Sequence, residues 1–232
     1  MEIRDLKVIA FDADDTLWQN EVFFREAEDR FAALMAPFMP KEESINVLFS
    51  NEMKHLRLYG YGIKGFMLSM VETAMDISKG SIGAEAIYEI LEIGRRMMNK
   101  PVELLDDVES IFNRLNGRYR LILATKGDLI DQERKLYKSG LEKHFHHVEV
   151  MSEKKEDDYR KLIRHLDIEP HEFLMVGNSM KSDIIPVLNI GGKAIHIPHE
   201  ITWQHEMVED GHVVKASYHQ FEKLSDILSV LS

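Results

Sequence analysis

The sequence predicts an α/β protein: a Rossmann-like, three-layer core around a mostly parallel five-stranded sheet, plus an inserted all-α subdomain. Two observations predict it. Five short apolar runs stand apart, and helical patterns separate the later four, which favours parallel strands joined by crossover helices. The chain from about 19 to 102, between the first and second runs, has no convincing strand but four amphipathic helical stretches.

The elements follow in order. The first strand is VIAF (8–11). The insert opens with a helix over Glu21–Ala36, with Phe23, Ala27, Phe31 and Leu34 in register, stopped by Pro37. A second helix covers about Glu43–Leu58, and the Gly-rich stretch LYGYGIKG (58–65) turns the chain. The third helix places Phe66, Met67, Met70, Val71 and Ala74 inward, and the fourth Ile87, Ile90, Leu91 and Met98. Met67, Met70, Met75, Met97 and Met98 read as filler for this subdomain's core. The main core resumes with a helix over Asp107–Leu115 that aligns Val108, Ile111, Phe112 and Leu115. The second strand is LILAT (121–125). Asp128 is placed to cap a helix carrying Leu129, Leu136 and Tyr137, which ends near Gly140. VEVM (148–151), a helix over Glu156–Leu166, FLMVG (173–177), a helix over Asp183–Ile190 capped by Asp183 or Ser182, and KAIHI (193–197) complete the alternation. Beyond 198 come Ile201–Glu209, a possible strand at Val213–Ala216, and an amphipathic tail with Phe221, Leu224, Ile227 and Leu231. The expected domains are 1–18 with 103–232, and the insert at 19–102.

At 232 residues the chain can bury a large core without covalent staples. The absence of cysteine excludes disulfides, thiolate metal sites and a cysteine nucleophile. A net charge of -11 disfavours nucleic acid and anionic lipid as partners. The charged start MEIRDLK shows no signal-peptide pattern, and no stretch approaches the length of a membrane span, so a cytoplasmic location is expected.

Ligands of parallel sheets bind beyond the carboxyl ends of the strands. Those ends are polar here. Asp12, Asp14 and Thr16 follow the first strand, and Thr125 and Lys126 close the second. Ser152, Lys154 and Lys155 follow the third, and Gly177, Asn178, Ser179 and Asp183 the fourth.

The motif DADDT (12–16) resembles the DxDxT signature of the haloacid dehalogenase superfamily. Thr125 resembles that family's second motif, the lysine near 154 the third, and GNSMKSD (177–183) the fourth, usually GDxxxxD. The helical insert resembles the family's type I cap. The four motifs occur in the family's order and span nearly the whole chain.

The resemblance implies a phosphoryl-transfer site. Asp12 would be the nucleophile, forming an aspartyl-phosphate. Because a carboxylate repels a phosphate ester, a cation is needed between them, and an all-oxygen ligand set suits Mg²⁺. Its implied ligands are Asp12, the Asp14 backbone carbonyl, Asn178 and Asp183. Lys154 would hold Asp12, and Thr125 would bond the phosphoryl oxygens. Asp14 would protonate the leaving alcohol and then deprotonate the attacking water. Halide leaves without a proton, so an acid at Asp14 favours a phosphatase over a dehalogenase. The expected partner is a small phosphorylated metabolite. A phosphomutase, a haloacid dehalogenase disfavoured by Asp14, and a non-catalytic binding protein are the alternatives on this scaffold.

Two places depart from the pattern. Asn178 stands where the family has Asp, which removes a charge from the metal set. The run SEKKEDDY offers both Lys154 and Lys155, and spacing back from Tyr159 favours Lys154. Candidates for substrate contact are Thr16, Trp18, Lys126, Tyr61 and Lys64. Asp15 is assigned no chemistry. The histidine-rich runs HFHHVEV (144–150) and IHIPHEITWQHE (195–206) read as surface or satisfied imidazoles, and His205-Glu206 lacks the second histidine of an HExxH helix.

Overall fold

The structure, a computed structural model, describes residues 3, 5–201, 203–206 and 218–231. It divides into two compact units: Met1–Glu21, Val102–Lys126 and Lys135–Ser232 form one, Val22–Pro101 and Gly127–Arg134 the other.

The first unit is built on a parallel sheet. Its strands are β1 (Val8–Phe11), β2 (Arg120–Lys126), β3 (His147–Met151), β4 (Phe173–Gly177), β5 (Lys193–His196) and β6 (His219–Gln220), in the order β3-β2-β1-β4-β5-β6. All five runs read from the sequence are strands. The sixth has only two residues, too short for a periodic signal, and pairs in parallel with β5 at the edge. The possible strand at Val213–Ala216 lies outside the described residues.

The pleat sorts the core into two apolar layers. Ile9, Phe11, Leu121, Leu123, Leu174 and Val176 face one way, where they meet Val108, Ile111, Phe112 and Leu115 of α5 (Val108–Leu115). The tail residues Leu224, Ile227 and Leu231 pack in the same layer, around a 3-10 helix at Leu224–Ser229. Val8, Ala10, Ile122, Ala124, Phe173 and Met175 face the other way, onto Tyr159, Leu162 and Ile163 of α7 (Glu156–His165) and onto Leu166. Register does the positioning. Phe11 lies opposite Leu123 on one side and Val176 on the other, so β1, β2 and β4 present their carboxyl ends together.

The second unit holds α1 (Glu21–Met35, from its second residue), α2 (Lys41–Tyr59), α3 (Ile63–Ile77) and α4 (Ala84–Asn99). Its core is Ala27, Phe31, Met35, Leu48, Phe66, Met70, Ala74, Ile90, Ile93 and Met97, with Met67 and Met98 packed against it. Two inward assignments need correction. Met75 is 51% exposed. Phe23 is also displaced from the α1 core face: Phe24 meets Phe66 at 5.2 Å, while the Lys100 ammonium lies 4.0 Å over the Phe23 ring. The face therefore runs one residue later, through Phe24, Ala27, Phe31 and Met35. The α2–α3 turn depends on glycine, because Gly60 and Gly62 have φ of 72° and 101°, which disfavour a side chain.

Helix α6 (Leu129–Ser139) is capped as expected, since Asp128 Oδ1 accepts the Asp131 N–H at 3.1 Å. Its apolar face is narrower than expected: Leu136 is buried, but Leu129 and Tyr137 are 55% and 77% exposed. Helix α8 (Ile185–Asn189) follows a π-helical turn at Met180–Ile184. The cap of this segment is neither Asp183 nor Ser182. It is Ser179, whose hydroxyl accepts the Ser182 N–H at 3.0 Å.

Candidate active site

The site begins where β1 runs out. The Asp12 N–H still donates to the Val176 carbonyl at 2.9 Å, so its backbone is fixed by the sheet. The carboxylate beyond it is buried and meets two donors. Lys154 Nζ lies 2.5 Å from Oδ1, and Thr16 Oγ1 lies 3.1 Å from Oδ2. The same Lys154 ammonium reaches Asp183 Oδ1 at 2.7 Å. Lys154 is 3% exposed, whereas Lys155 extends an exposed side chain to Glu153 at 3.7 Å. The structure thus separates the two lysines that the sequence left adjacent.

A buried lysine is costly unless its charge is answered. Here two carboxylates answer one ammonium. Burial pushes the Asp12 carboxyl up to about 7 against the pull of Lys154, and the Asp183 carboxylate adds to the rise. Burial works against the Lys154 charge, but Asp12 and Asp183 overcome it and raise its pKa above the ordinary lysine value.

Asp183 reaches this point by local geometry. The Ser179 cap and the π-helical turn bring it back toward the strand end, where Oδ2 accepts the Ser179 N–H at 3.0 Å. Gly177 makes room for it. A Cβ on Gly177 would lie 2.3 Å from Asp183 Oδ2 and 2.4 Å from Cγ. We expect Gly177→Ala to displace Asp183, with a loss of roughly 1–3 kcal/mol. A thermal melt checks this, and an unchanged midpoint would contradict the packing argument.

Thr16, a candidate for substrate contact, is buried and serves as a hub instead. Its hydroxyl is shared between Asp12 and Asn178 Oδ1, at 3.2 Å from the latter, and accepts the Asn178 N–H at 3.1 Å. The Asn178 carbonyl oxygen lies 2.9 Å from His196 Nε2. Thr125 is buried, and its hydroxyl donates to the Lys126 carbonyl at 3.3 Å.

Asp14 is held by two donors. Trp18 Nε1 donates to Oδ1 at 2.7 Å, and Lys135 Nζ lies 2.6 Å and 2.8 Å from Oδ1 and Oδ2. Trp18 was expected to line substrate space. It is wholly buried and joins short bridges to Asp14 and Leu104, so its indole supports the loop from beneath. Asp15 also has a task. Its carboxylate accepts the N–H groups of Asn20 and Glu21, at 2.9 Å and 3.0 Å, and so shapes the entry into α1.

Two functional candidates escaped the sequence reading. Lys135 sits in a charged helical stretch that reads as a solvated face. Glu206 sits in a histidine-rich stretch that reads as surface, yet its buried carboxylate bonds Lys126, Ser179 and Ser182. Burial alone would raise the Glu206 pKa, but the Lys126 ammonium and these hydrogen bonds hold it down at about 2. Lys126 also donates to Ser182 at 2.9 Å, so its charge braces the loop after β4. No local sequence signal points to either residue, because the partners are distant in the chain. Tyr61 and Lys64 belong to the helical unit: Tyr61 is half-buried, and the Lys64 ammonium pairs with Asp128 at 2.8 Å.

The donor set suits a hard divalent cation. Asp12, Asp183 and Lys154 together carry one unanswered negative charge, and the Asn178 side-chain oxygen is joined to Asp12 through the Thr16 hydroxyl. No group of three or more His, Cys, Asp or Glu side chains is arranged to hold a metal ion by itself among the described residues. Two carboxylates plus neutral oxygens are the sparse set that Mg²⁺ accepts, with water and phosphate completing the shell.

Comparison with known proteins identifies the family. Residues 6–191 match the haloacid dehalogenase-like hydrolase family. The chain is 27% identical to the N-acylneuraminate-9-phosphatase of Mus musculus over 210 residues, covering 84% of this chain and 83% of that protein. A solved haloacid dehalogenase-like family hydrolase from Xanthomonas campestris is similar at TM-score 0.86 and 33% identity, over 98% of this chain and 91% of that one. A hydrolase of the same superfamily from Bacillus subtilis, bound to magnesium, shares the fold at TM-score 0.67 and 15% identity, over 98% of this chain and 99% of that one. The chain therefore belongs to the haloacid dehalogenase-like hydrolase family, with α1–α4 as its inserted cap and phosphatases among its relatives.

Proposed function

We propose that the chain is a phosphomonoester hydrolase that acts on a small phosphorylated metabolite through a phosphoryl group carried on Asp12. The observation that carries this reading is the buried Asp12–Lys154–Asp183 cluster at the end of the central strand. An ammonium there orients the nucleophilic carboxylate and offsets charge as the phosphoryl group arrives. Mg²⁺, held by Asp12, the Asp14 carbonyl, Asn178 and Asp183, would supply the remaining positive charge.

In the first step Asp12 attacks phosphorus, the bond to the ester oxygen breaks, and Asp14 gives that oxygen its proton. In the second step Asp14, now a carboxylate, takes a proton from water. The resulting hydroxide attacks the phosphorus, and Asp12 leaves as a carboxylate with inorganic phosphate released. Thr125, near the end of β2, would bond the phosphoryl oxygens. Asp14 has no task in halide displacement, which supports phosphate ester over haloacid as substrate. The mouse relative's name, a phosphatase of an N-acylneuraminate position, places sugar phosphates first in a substrate panel.

The test is phosphate release from a metabolite panel, with and without Mg²⁺. Several-fold preference for one substrate class is expected. Chelation should lower the rate at least ~100-fold, with recovery on Mg²⁺ addition, because the metal supplies several kcal/mol of charge stabilisation. No release from any ester in the presence of Mg²⁺ would defeat the reading.

A further inference from the structure

We propose that Lys135 is a positioning residue for the acid–base group Asp14. With Trp18 it sets the carboxylate's orientation, and it thereby determines activity on esters with poor leaving groups. The inference rests on the hydrolase reading above.

Asp14 lies on a loop beyond a strand, where an aspartate is free to choose among rotamers. Two donors from separate places remove that freedom. Trp18 Nε1, rigid within a wholly buried indole, fixes Oδ1 at 2.7 Å. Lys135 Nζ spans both oxygens at 2.6 Å and 2.8 Å, which fixes the tilt of the carboxylate plane. The ammonium is itself steadied by Asn20 Oδ1 at 3.3 Å. The Lys135 side chain is only 15% exposed, in a helix that gives its neighbours Lys138 and Tyr137 to solvent. Lysine seldom gives up water unless its charge is used. Its placement is held by the two contacts to Asp14 and the one to Asn20.

Orientation matters most where a proton must reach the departing oxygen. An alkoxide is a poor leaving group and needs that proton, while 4-nitrophenolate leaves readily without it. A displacement near one ångström can cost on the order of 100-fold in such a transfer. Lys135 should therefore matter more to alkyl phosphates than to aryl phosphates.

The test compares full-length wild type with Lys135→Met and Lys135→Arg, using 4-nitrophenyl phosphate and a sugar phosphate with Mg²⁺. In Lys135→Met the ratio of sugar-phosphate to aryl-phosphate kcat should fall at least ~20-fold, part of the roughly 10²–10⁴-fold that acid–base catalysis contributes, and Lys135→Arg should restore most of it. An equal loss on both esters, or none, would overturn the proposal. A second readout does not depend on turnover. The Trp18 Nε1–H proton resonance, assigned with Trp18→Phe, should shift or broaden in Lys135→Met as Asp14 samples other rotamers. A sharp, unmoved resonance sinks the positioning role even if the chain is a phosphatase. Conversely, a shifted resonance with no hydrolysis by wild type defeats the hydrolase reading and leaves the Lys135–Asp14 contact standing.

Discussion

Lys154→Met is expected to unfold the protein at a markedly lower temperature and to remove its activity. Methionine matches the lysine stem in length but brings no charge. The variant leaves Asp12 and Asp183 facing each other at a buried strand end, where a single ammonium had joined them at 2.5 Å and 2.7 Å. With both carboxylates ionised, net charge in the cluster moves from minus one to minus two. Removing one partner of a buried pair costs roughly 3–5 kcal/mol, which for a chain of this size lowers the melting temperature by roughly 10 °C. Phosphate release should fall about 1000-fold, the scale set by removing a preorganised donor. A second variant separates electrostatics from packing. Lys154→Met with Asp183→Asn restores a charge of minus one and should regain part of the stability, but none of the activity. If the double variant melts no higher than the single one, repulsion is not what destabilises it.

Asp12 and Asp183 were legible in the sequence because they lie in the segments that follow apolar runs. VIAF, LILAT and FLMVG announce strands, and whatever follows a parallel strand lies at the ligand face. Lys154 was harder, since it stands beside Lys155 in a charged run; spacing back from Tyr159 favours it, and burial separates the two. Lys135 left no local trace. Its partner Asp14 is 121 residues away, and DQERKLYK carries no mark of a contact at that range. Glu206 was hidden by its histidine-rich surroundings in the same way. Trp18 was misjudged for a different reason. An aromatic beside a catalytic loop suggests a substrate wall, but a buried indole also needs an acceptor for its N–H, and Asp14 supplies one. The single-residue shift of the α1 face shows a further limit. Phe23 and Phe24 are equally apolar, and the choice between them is made by Phe66 on another helix.

Asp12→Asn carries the opposite expectation for stability and an even larger one for activity. The amide keeps the shape and can still accept from Thr16, but it is no nucleophile, so phosphate release should fall at least ~10⁴-fold. The remaining Lys154–Asp183 pair is then neutral. In wild type, burial pushes the Asp12 carboxyl up to about 7, while an unfolded aspartate titrates near ~3.9. A folded pKa above the unfolded one means that Asp12 costs the metal-free protein nothing below pH ~4. The cost grows as pH rises toward 7 and is complete above it. Removing the carboxylate should therefore stabilise the metal-free protein by roughly 2–4 kcal/mol at pH 8, and by an amount that shrinks toward zero near pH 4. Melting curves of wild type and Asp12→Asn across that range check the sign. A gain that does not vary with pH would mean the carboxylate is not being forced to ionise in a buried site. Mg²⁺ should close the gap at pH 8 by raising wild type more than the variant, since the cation needs the charge that the amide lacks. A site that is cheaper to fold without its nucleophile is the behaviour expected when a carboxylate is kept for chemistry rather than for stability.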